Sequence, residues 1–306
     1  MGRRPPLLLR RTAVWDREKL AAGVDLPPYF GYYDKAIAIY THMSDQFSVF
    51  STQVISCALR EALYVLDGLL AHDSVLEPTF HSTDTHGYTD HLFGMCYLLG
   101  FSFQPRLADL PGQRLYKIAK ADSYGDLDVL FSGAVDVDLI REQWDQLVRV
   151  AASLKNRIAP AHIILERLAG RSPSDKVAKA LAALGHIVKT TYILRYLSDP
   201  QLRHPVQLQL NRGESRHQLA KHLFFANRGI FRTNDLEEIM NKATCLSLLS
   251  NAVLVWNTYH MQQTVQTLRA QGYPVDNDDL ARISPLWFKN ILVHGTYDFS
   301  DLALPS

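Results

Sequence analysis

The stretch His81-Ser82-Thr83-Asp84-Thr85-His86-Gly87-Tyr88-Thr89-Asp90 and, far downstream, Asn211-Arg212-Gly213-Glu214-Ser215-Arg216 hold the side chains best placed to do chemistry. Asp84 and Glu214 are two carboxylates of the kind that share metal ions. The first block reads as the end of a short strand over 79–83, a turn at Gly87 and an amphipathic helix from about Thr89 to Leu99, so Asp84 is expected at a strand tip open to a metal or substrate. Each acid also has a purely structural explanation. Aspartate is favoured at turns and just before helices, and Asn211 as N-cap with Glu214 three residues on has the spacing of a capping box. Zinc is a weaker alternative, suggested by His81, Asp84 and His86 and by Glu214 with His217. It needs three ligands in fixed geometry, and strand alternation sends His81 and Asp84 to opposite faces.

The surrounding charge is uneven although the net charge is only +1. Between Asp109 and Asp145 there are eight acids against four Lys and Arg, whereas between Arg203 and Arg232 six Lys and Arg surround the single acid Glu214. A balanced surface accounts for this as well as a phosphate-lined one does; the latter would gather Arg212, Arg216 and Lys221 around one working carboxylate. Trp144, Trp256 and Trp287 lie in apolar contexts that suit packing better than base stacking.

The elements that must position these groups follow from periodicity. Residues 1–28, with two proline pairs and clustered arginines, read as an atypical, loosely docked lead-in. The runs 36–42 and 47–54, rich in β-branched and aromatic residues around Met43-Ser44-Asp45-Gln46, predict a hairpin. A helical stripe over 58–70, the strand ending near Asp84, the helix at 89–99 and a short strand at 101–105 complete a first core segment, 29–110. Residues 111–200 read as an all-helical insertion broken at Pro160, 170–174 and Asp199-Pro200. A final segment, 201–306, holds a helix over about 213–226 and a long one over about 243–270, stopping at Gly272 and Pro274. With 47% hydrophobic residues the composition is ordinary for a globular α/β protein. Cys57, Cys96 and Cys245 are odd in number and scattered, which fits a cytoplasmic protein without disulfides. No unbroken apolar run reaches the ~18 residues of a membrane span.

The blocks HSTDTHGYTD, LLGFSFQPRLADL, LNRGESRHQLAKHLFFANRG, NAVLVWNT and ARISPLWF, in this order from about Tyr29 to Tyr297, resemble the C-terminal catalytic domain of the Tn-three-type transposases of replicative class II transposons. The resemblance implies an RNase H-like mixed sheet with a helical insertion before a glutamate helix. It further implies two aspartates and a glutamate holding two Mg²⁺ ions, with Mn²⁺ as a substitute, for nicking and transfer of DNA at transposon ends. Asp84 falls on the second aspartate and Glu214 on the glutamate, with Arg212, Arg216 and Lys221 as implied DNA contacts. The family's first aspartate, in an Asp-Gly context roughly seventy to eighty residues before the second, has no counterpart here. Asp16 is the nearest acid and lacks the family's flanking residues.

The resulting expectation is a truncated relative that has lost its first strand and first acid, and is inactive alone. It would then act as a binding fragment, touching DNA, a full-length transposase or itself. Loss of the strand would leave a sheet edge unpaired and the product poorly soluble unless residues 7–14 take its place.

Overall fold

A computed structural model describes residues 6–16, 35–56, 61–72, 74–84, 87–170, 174–224, 230–231 and 235–296. The expected start of the 58–70 helix, Cys57 and His86 lie outside the described residues, as does the lead-in apart from 6–16.

Residues Pro6–Asp16 form a strand, β1, at the centre of the main sheet, in place of the loosely docked segment expected for them. The hairpin is formed by β2 (Lys35–Met43) and β3 (Val49–Ser56). A 3₁₀ turn leads into α1 (Val65–Leu70), followed by β4 (Phe80–Ser82), α2 (Asp90–Leu98) and β5 (Ser102–Phe103). The strand order is β3-β2-β1-β4-β5, antiparallel from β3 to β1 and parallel from β1 to β5. β2 occupies one edge of β1 along Leu8–Asp16; on the other edge β4 pairs with its first residues and β8 (Ile230–Phe231) with its last two. The vacancy anticipated at the sheet centre is therefore filled. A run of Leu7, Leu8, Leu9, Thr12, Ala13 and Val14 suits a strand, and the arginine and proline pairs obscured it.

The insertion is not all-helical. β6 (Leu115–Lys117) and β7 (Phe131–Ala134) form a two-stranded parallel sheet before α3 (Val137–Glu142), α4 (Trp144–Lys155), α5 (Ala161–Gly170) and α6 (Lys176–Ser198). Side chains cap four helices here: Thr89 opens α2, Asp136 opens α3, Asp175 opens α6, and the Asp67 carboxylate accepts from Ala161 N (2.6 Å) at the start of α5. α2 and α6 approach closely at two glycines. A Cβ on Gly185 would lie 1.8 Å from the Asp90 carbonyl oxygen, and one on Gly94 would lie 2.7 Å from that of Leu181.

The last elements are α7 (Pro200–Leu223), α8 (Leu236–Ala270) and the single turn α9 (Asn277–Leu280). α8 stops at Gly272 in a left-handed conformation, as the sequence predicts. α6 and α8 are long and apolar enough to cross a bilayer by length and composition, a test that counting unbroken apolar runs did not apply; half of the relevant α6 stretch is buried within the fold.

Alternation along β2 divides the core between the two faces of the sheet. Ala38 and Tyr40 join Leu66, Phe93 and Leu181 under α1, α2 and α6, whereas Ile39 joins Leu219, Leu223 and Leu246 under α7 and α8. On the first face two histidines are fully buried, His42 on β2 and His81 on β4, with ring centroids 5.8 Å apart. His42 Nε2 bonds the Val65 carbonyl oxygen (3.0 Å), and His81 stacks on Phe103. Burial lowers the pKa of His42 to about 4 and holds that of His81 well below its ordinary value, so both are neutral in the folded chain at neutral pH.

A predicted consequence is acid sensitivity well above the carboxylate range. Above pH 6.5 the histidines are neutral in both states and contribute no pH dependence; between about 6.5 and 4 the unfolded chain takes up protons that the folded chain excludes, so stability falls as pH falls. Urea unfolding at pH 7.0 and 5.0 should show the midpoint dropping, and His42→Asn should flatten the dependence if that variant folds. A second prediction concerns the helix contact: Gly185→Ala should cost about 1–3 kcal/mol in the same measurement, because the Asp90 backbone has to move.

Candidate active site

Asp84 lies just past β4, half-buried, with the strand's extended path continued by Arg106 N donating to the Thr83 carbonyl oxygen (2.8 Å). The turn that follows is closed by Gly87 N on the Asp84 carbonyl oxygen (3.3 Å), and a Cβ on Gly87 would meet the Thr83 side chain at 2.7 Å. Asp84 thus stands at a strand tip, as expected.

Glu214 does not stand at a helix start. α7 begins fourteen residues earlier, with Asp199 as N-cap accepting from Gln201 N and Pro200 in the first turn, so Asn211 and Glu214 are mid-helix. The capping-box explanation of Glu214 therefore fails. Asn211 mimicked a cap, and the helix runs through Pro205 near its N-terminal end.

The register of the sheet relates the two acids. Leu8 pairs with Ser82, so two residues on Arg10 is level with Asp84; on its other side Arg10 pairs with Thr41. Thr41 in turn accepts from Arg216 Nη1 of α7 (3.4 Å). Down the same helix Leu210 packs on Met43 and Arg212 Nη1 bonds the Asp45 carbonyl oxygen (3.1 Å), so α7 runs antiparallel to β2 and parallel to β4. Glu214, two residues before Arg216, therefore lies at the height of Asp84. The lateral position agrees: α7 lies over β1 and touches β4, while α8 lies over β3. Leu219 and Leu223 pack with α8, and Glu214, roughly 140–180° round the helix from them, is on the side of α7 away from α8.

Between the acids, at the same height, β1 presents Leu9, Arg10 and Arg11. Its acid, Asp16, is six residues further along, about 20 Å at strand rise, and pairs with Phe231 and Lys35. The charge of Asp84 is felt two strands away: burial first, then Glu61 and Asp84, raises the pKa of Tyr40 on β2, which pairs with Arg11.

The three basic residues separate. Lys221 is exposed. Arg212 is half-buried, bonds Gln209 Oε1 (3.3 Å) and lies 4.7 Å from the Phe47 ring centroid, bracing the hairpin turn where Phe47 has φ 71°. Arg216 is corrected from a surface contact to a core residue: it is 3% exposed, its Nη2 donates to Ser247 Oγ of α8 (3.3 Å), and burial lowers its pKa to about 10. Thr52 Oγ1 meets the same Ser247 hydroxyl (2.7 Å), so Arg216 joins β2, β3 and α8. His81 is inside the core on the α2 side and does not join Asp84, which removes the zinc arrangement; among the described residues no three His, Cys, Asp or Glu side chains gather into a metal site. Asp84 and Glu214 carry hard oxygen donors of the kind that suit Mg²⁺, and among the described residues no third carboxylate gathers with them.

Two asparagines in the blocks quoted above organise the surroundings. Asn251 brackets β3 by accepting from Val49 N (2.9 Å) and donating to Val49 O (2.8 Å), and Asn257 Nδ2 donates to the carbonyl oxygens of Pro285 and Trp287 (both 2.7 Å). Sequence reading gave neither a role; an asparagine on the inner face of an apolar helix was the available signal.

The mixed sheet with helices packed on both faces makes this a mixed α/β domain. Residues 11–297 match the Tn3 transposase DDE domain, and the chain belongs to that family. It is 39% identical over 265 residues to the transposase of transposon Tn2501 from Escherichia coli, covering 86% of this chain and 27% of that protein. It is 37% identical over 276 residues to the transposase of Tn1546 from Enterococcus faecium, covering 90% and 28%, and 36% identical over 272 residues to that of transposon gamma-delta from Escherichia coli strain K12, covering 89% and 27%. The chain thus spans little more than a quarter of the length of these relatives.

Arg216→Ala is predicted to destabilise the fold by about 2–4 kcal/mol, through a cavity and the loss of bonds joining three elements. Lys221→Ala should stay within about 0.5 kcal/mol of the parent in the same unfolding experiment.

Proposed function

We propose that this chain carries the RNase H-like catalytic fold of a DDE transposase with two of its three metal-binding acids, Asp84 and Glu214, and does not cleave DNA by itself. The observation that supports the reading most is the register across β2, β1 and β4, which brings Asp84 and Glu214 to one height with Arg10 in the strand between them. Phosphodiester cleavage by paired divalent ions needs carboxylates from separate elements to fix both ions, one activating the attacking oxygen and the other stabilising the leaving one. An arginine at the central position supplies no ligand and adds positive charge. The working substrate of the intact arrangement is DNA at transposon ends, with Mg²⁺ as its ion and the cytoplasm as its compartment. What remains to this chain is binding, to such DNA or to a full-length transposase.

Two predictions follow from that reading. Arg10→Asp should raise affinity for Mn²⁺, followed by electron paramagnetic resonance, by about tenfold or more, and adding Asp84→Ala should abolish the gain. Nicking of transposon-end DNA by the unaltered chain, lost in Asp84→Ala, would show that another acid completes the site. In DNA binding, Lys221→Ala should weaken affinity about equally for all sequences and reduce the slope of log affinity against log salt by about one.

A further inference from the structure

We infer that Arg106 is a phosphate-binding residue of the site, set to hold the backbone of a DNA strand beside Asp84; the inference rests on the DNA reading given above. The sheet register places it there. β4 and β5 pair Phe80 with Ser102 and His81 with Phe103. The ladder runs on past both strands, Gln104 N donating to the His81 carbonyl oxygen (2.7 Å) and Arg106 N to that of Thr83 (2.8 Å). Three residues beyond the pair of His81 and Phe103, Arg106 is therefore level with Asp84, on the side of it away from β1. An odd number of steps also changes the face. The rings of His81 and Phe103 stack on the α2 side of the sheet, so Asp84 and Arg106 both turn to the side that α7 crosses.

The backbone that carries Arg106 is pinned while its guanidinium is not. Both neighbours are buried: Leu107 is in the core, and the carbonyl oxygen of Pro105 accepts from Tyr192 Oη of α6 (2.6 Å). Arg106 itself is exposed, as is Ser102 four residues back on the same face, with half-buried Gln104 between them donating to the Ser102 hydroxyl (3.1 Å). Among the described residues no hydrogen bond or ion pair engages the Arg106 side chain. Arg212 and Arg216, by contrast, are held by the hairpin turn and the core. Two carboxylates repel a phosphodiester, and a cation level with Asp84 on the open margin of the sheet offsets that repulsion where a strand has to lie. The planar fork of an arginine matches two phosphate oxygens, and a fixed backbone leaves less freedom to be lost on binding.

Binding of the whole chain to a labelled duplex carrying the transposon end, followed by fluorescence anisotropy, tests this. Arg106→Ala should weaken affinity about tenfold, and Arg106→Lys should recover only part of the loss, since an ammonium keeps the charge without the fork. Both variants should melt as the parent does, because the side chain is exposed. The loss should also be local. On a duplex whose phosphates at the transposon end are replaced by uncharged methylphosphonates, parent and Arg106→Ala should bind within about twofold of each other, whereas methylphosphonates about one helical turn away should leave the tenfold difference intact. Equal affinity of the two proteins for the natural duplex, or a difference that persists on the duplex made neutral at its end, would overturn the proposal and leave DNA binding in place. A parent chain that binds no duplex even at low salt would overturn both the proposal and the reading on which it rests.

Discussion

The backbone register of β1 is the constraint on which the arrangement of the site rests. Hydrogen bonds to β2 on one side and to β4 on the other fix which residues of three strands share a height, and in a pleated sheet one step of slip also changes the face on which each side chain stands. Because Arg216 ties α7 to Thr41 at that height, the same register governs where the glutamate helix meets the sheet. The two acids are 130 residues apart in the chain and are related by strand pairing and one buried arginine, not by any local motif.

That arginine is costly. Taken out of water, the guanidinium has its pKa lowered to about 10, and its Nε has no hydrogen-bond partner among the described residues. Hydroxyls of Thr41 and Ser247 offset part of the penalty. The other face of the sheet also holds buried polar groups, in His42, His81 and the Tyr40 hydroxyl, so both layers beside the site depend on polar groups in apolar surroundings.

Local chemistry was legible in the sequence where it is settled locally. The hairpin, the Thr89-capped helix ahead of Gly100, the break at Asp199-Pro200 and the stop of α8 at Gly272 all follow from residues within one or two turns. The failures were tertiary. β1 was hidden because its arginine pairs look like a solvated lead-in, and what makes it a strand is the pairing offered by β2 and β4. The start of α7 was misplaced because Asn211 imitates a cap signal that packing on β1 overrides. Asp84 and Glu214 were picked out by type and spacing. The burial of Arg216 had no sequence signature, since nothing local distinguishes an arginine that reaches phosphate from one that crosses to the next helix.

The convergence of Asp84 and Glu214 is the central claim, and cadmium bridging tests it without requiring activity. In the double variant Asp84→Cys/Glu214→Cys, Cd²⁺ should bind with a thiolate-to-metal charge-transfer band about twice that of either single variant, and far more tightly, because two thiolates at one height share the ion. Spectra of the double variant that merely equal the sum of two weak single-variant bindings, with no gain in affinity, would mean that the two positions are not neighbours and that the register drawn across β2, β1 and β4 is wrong.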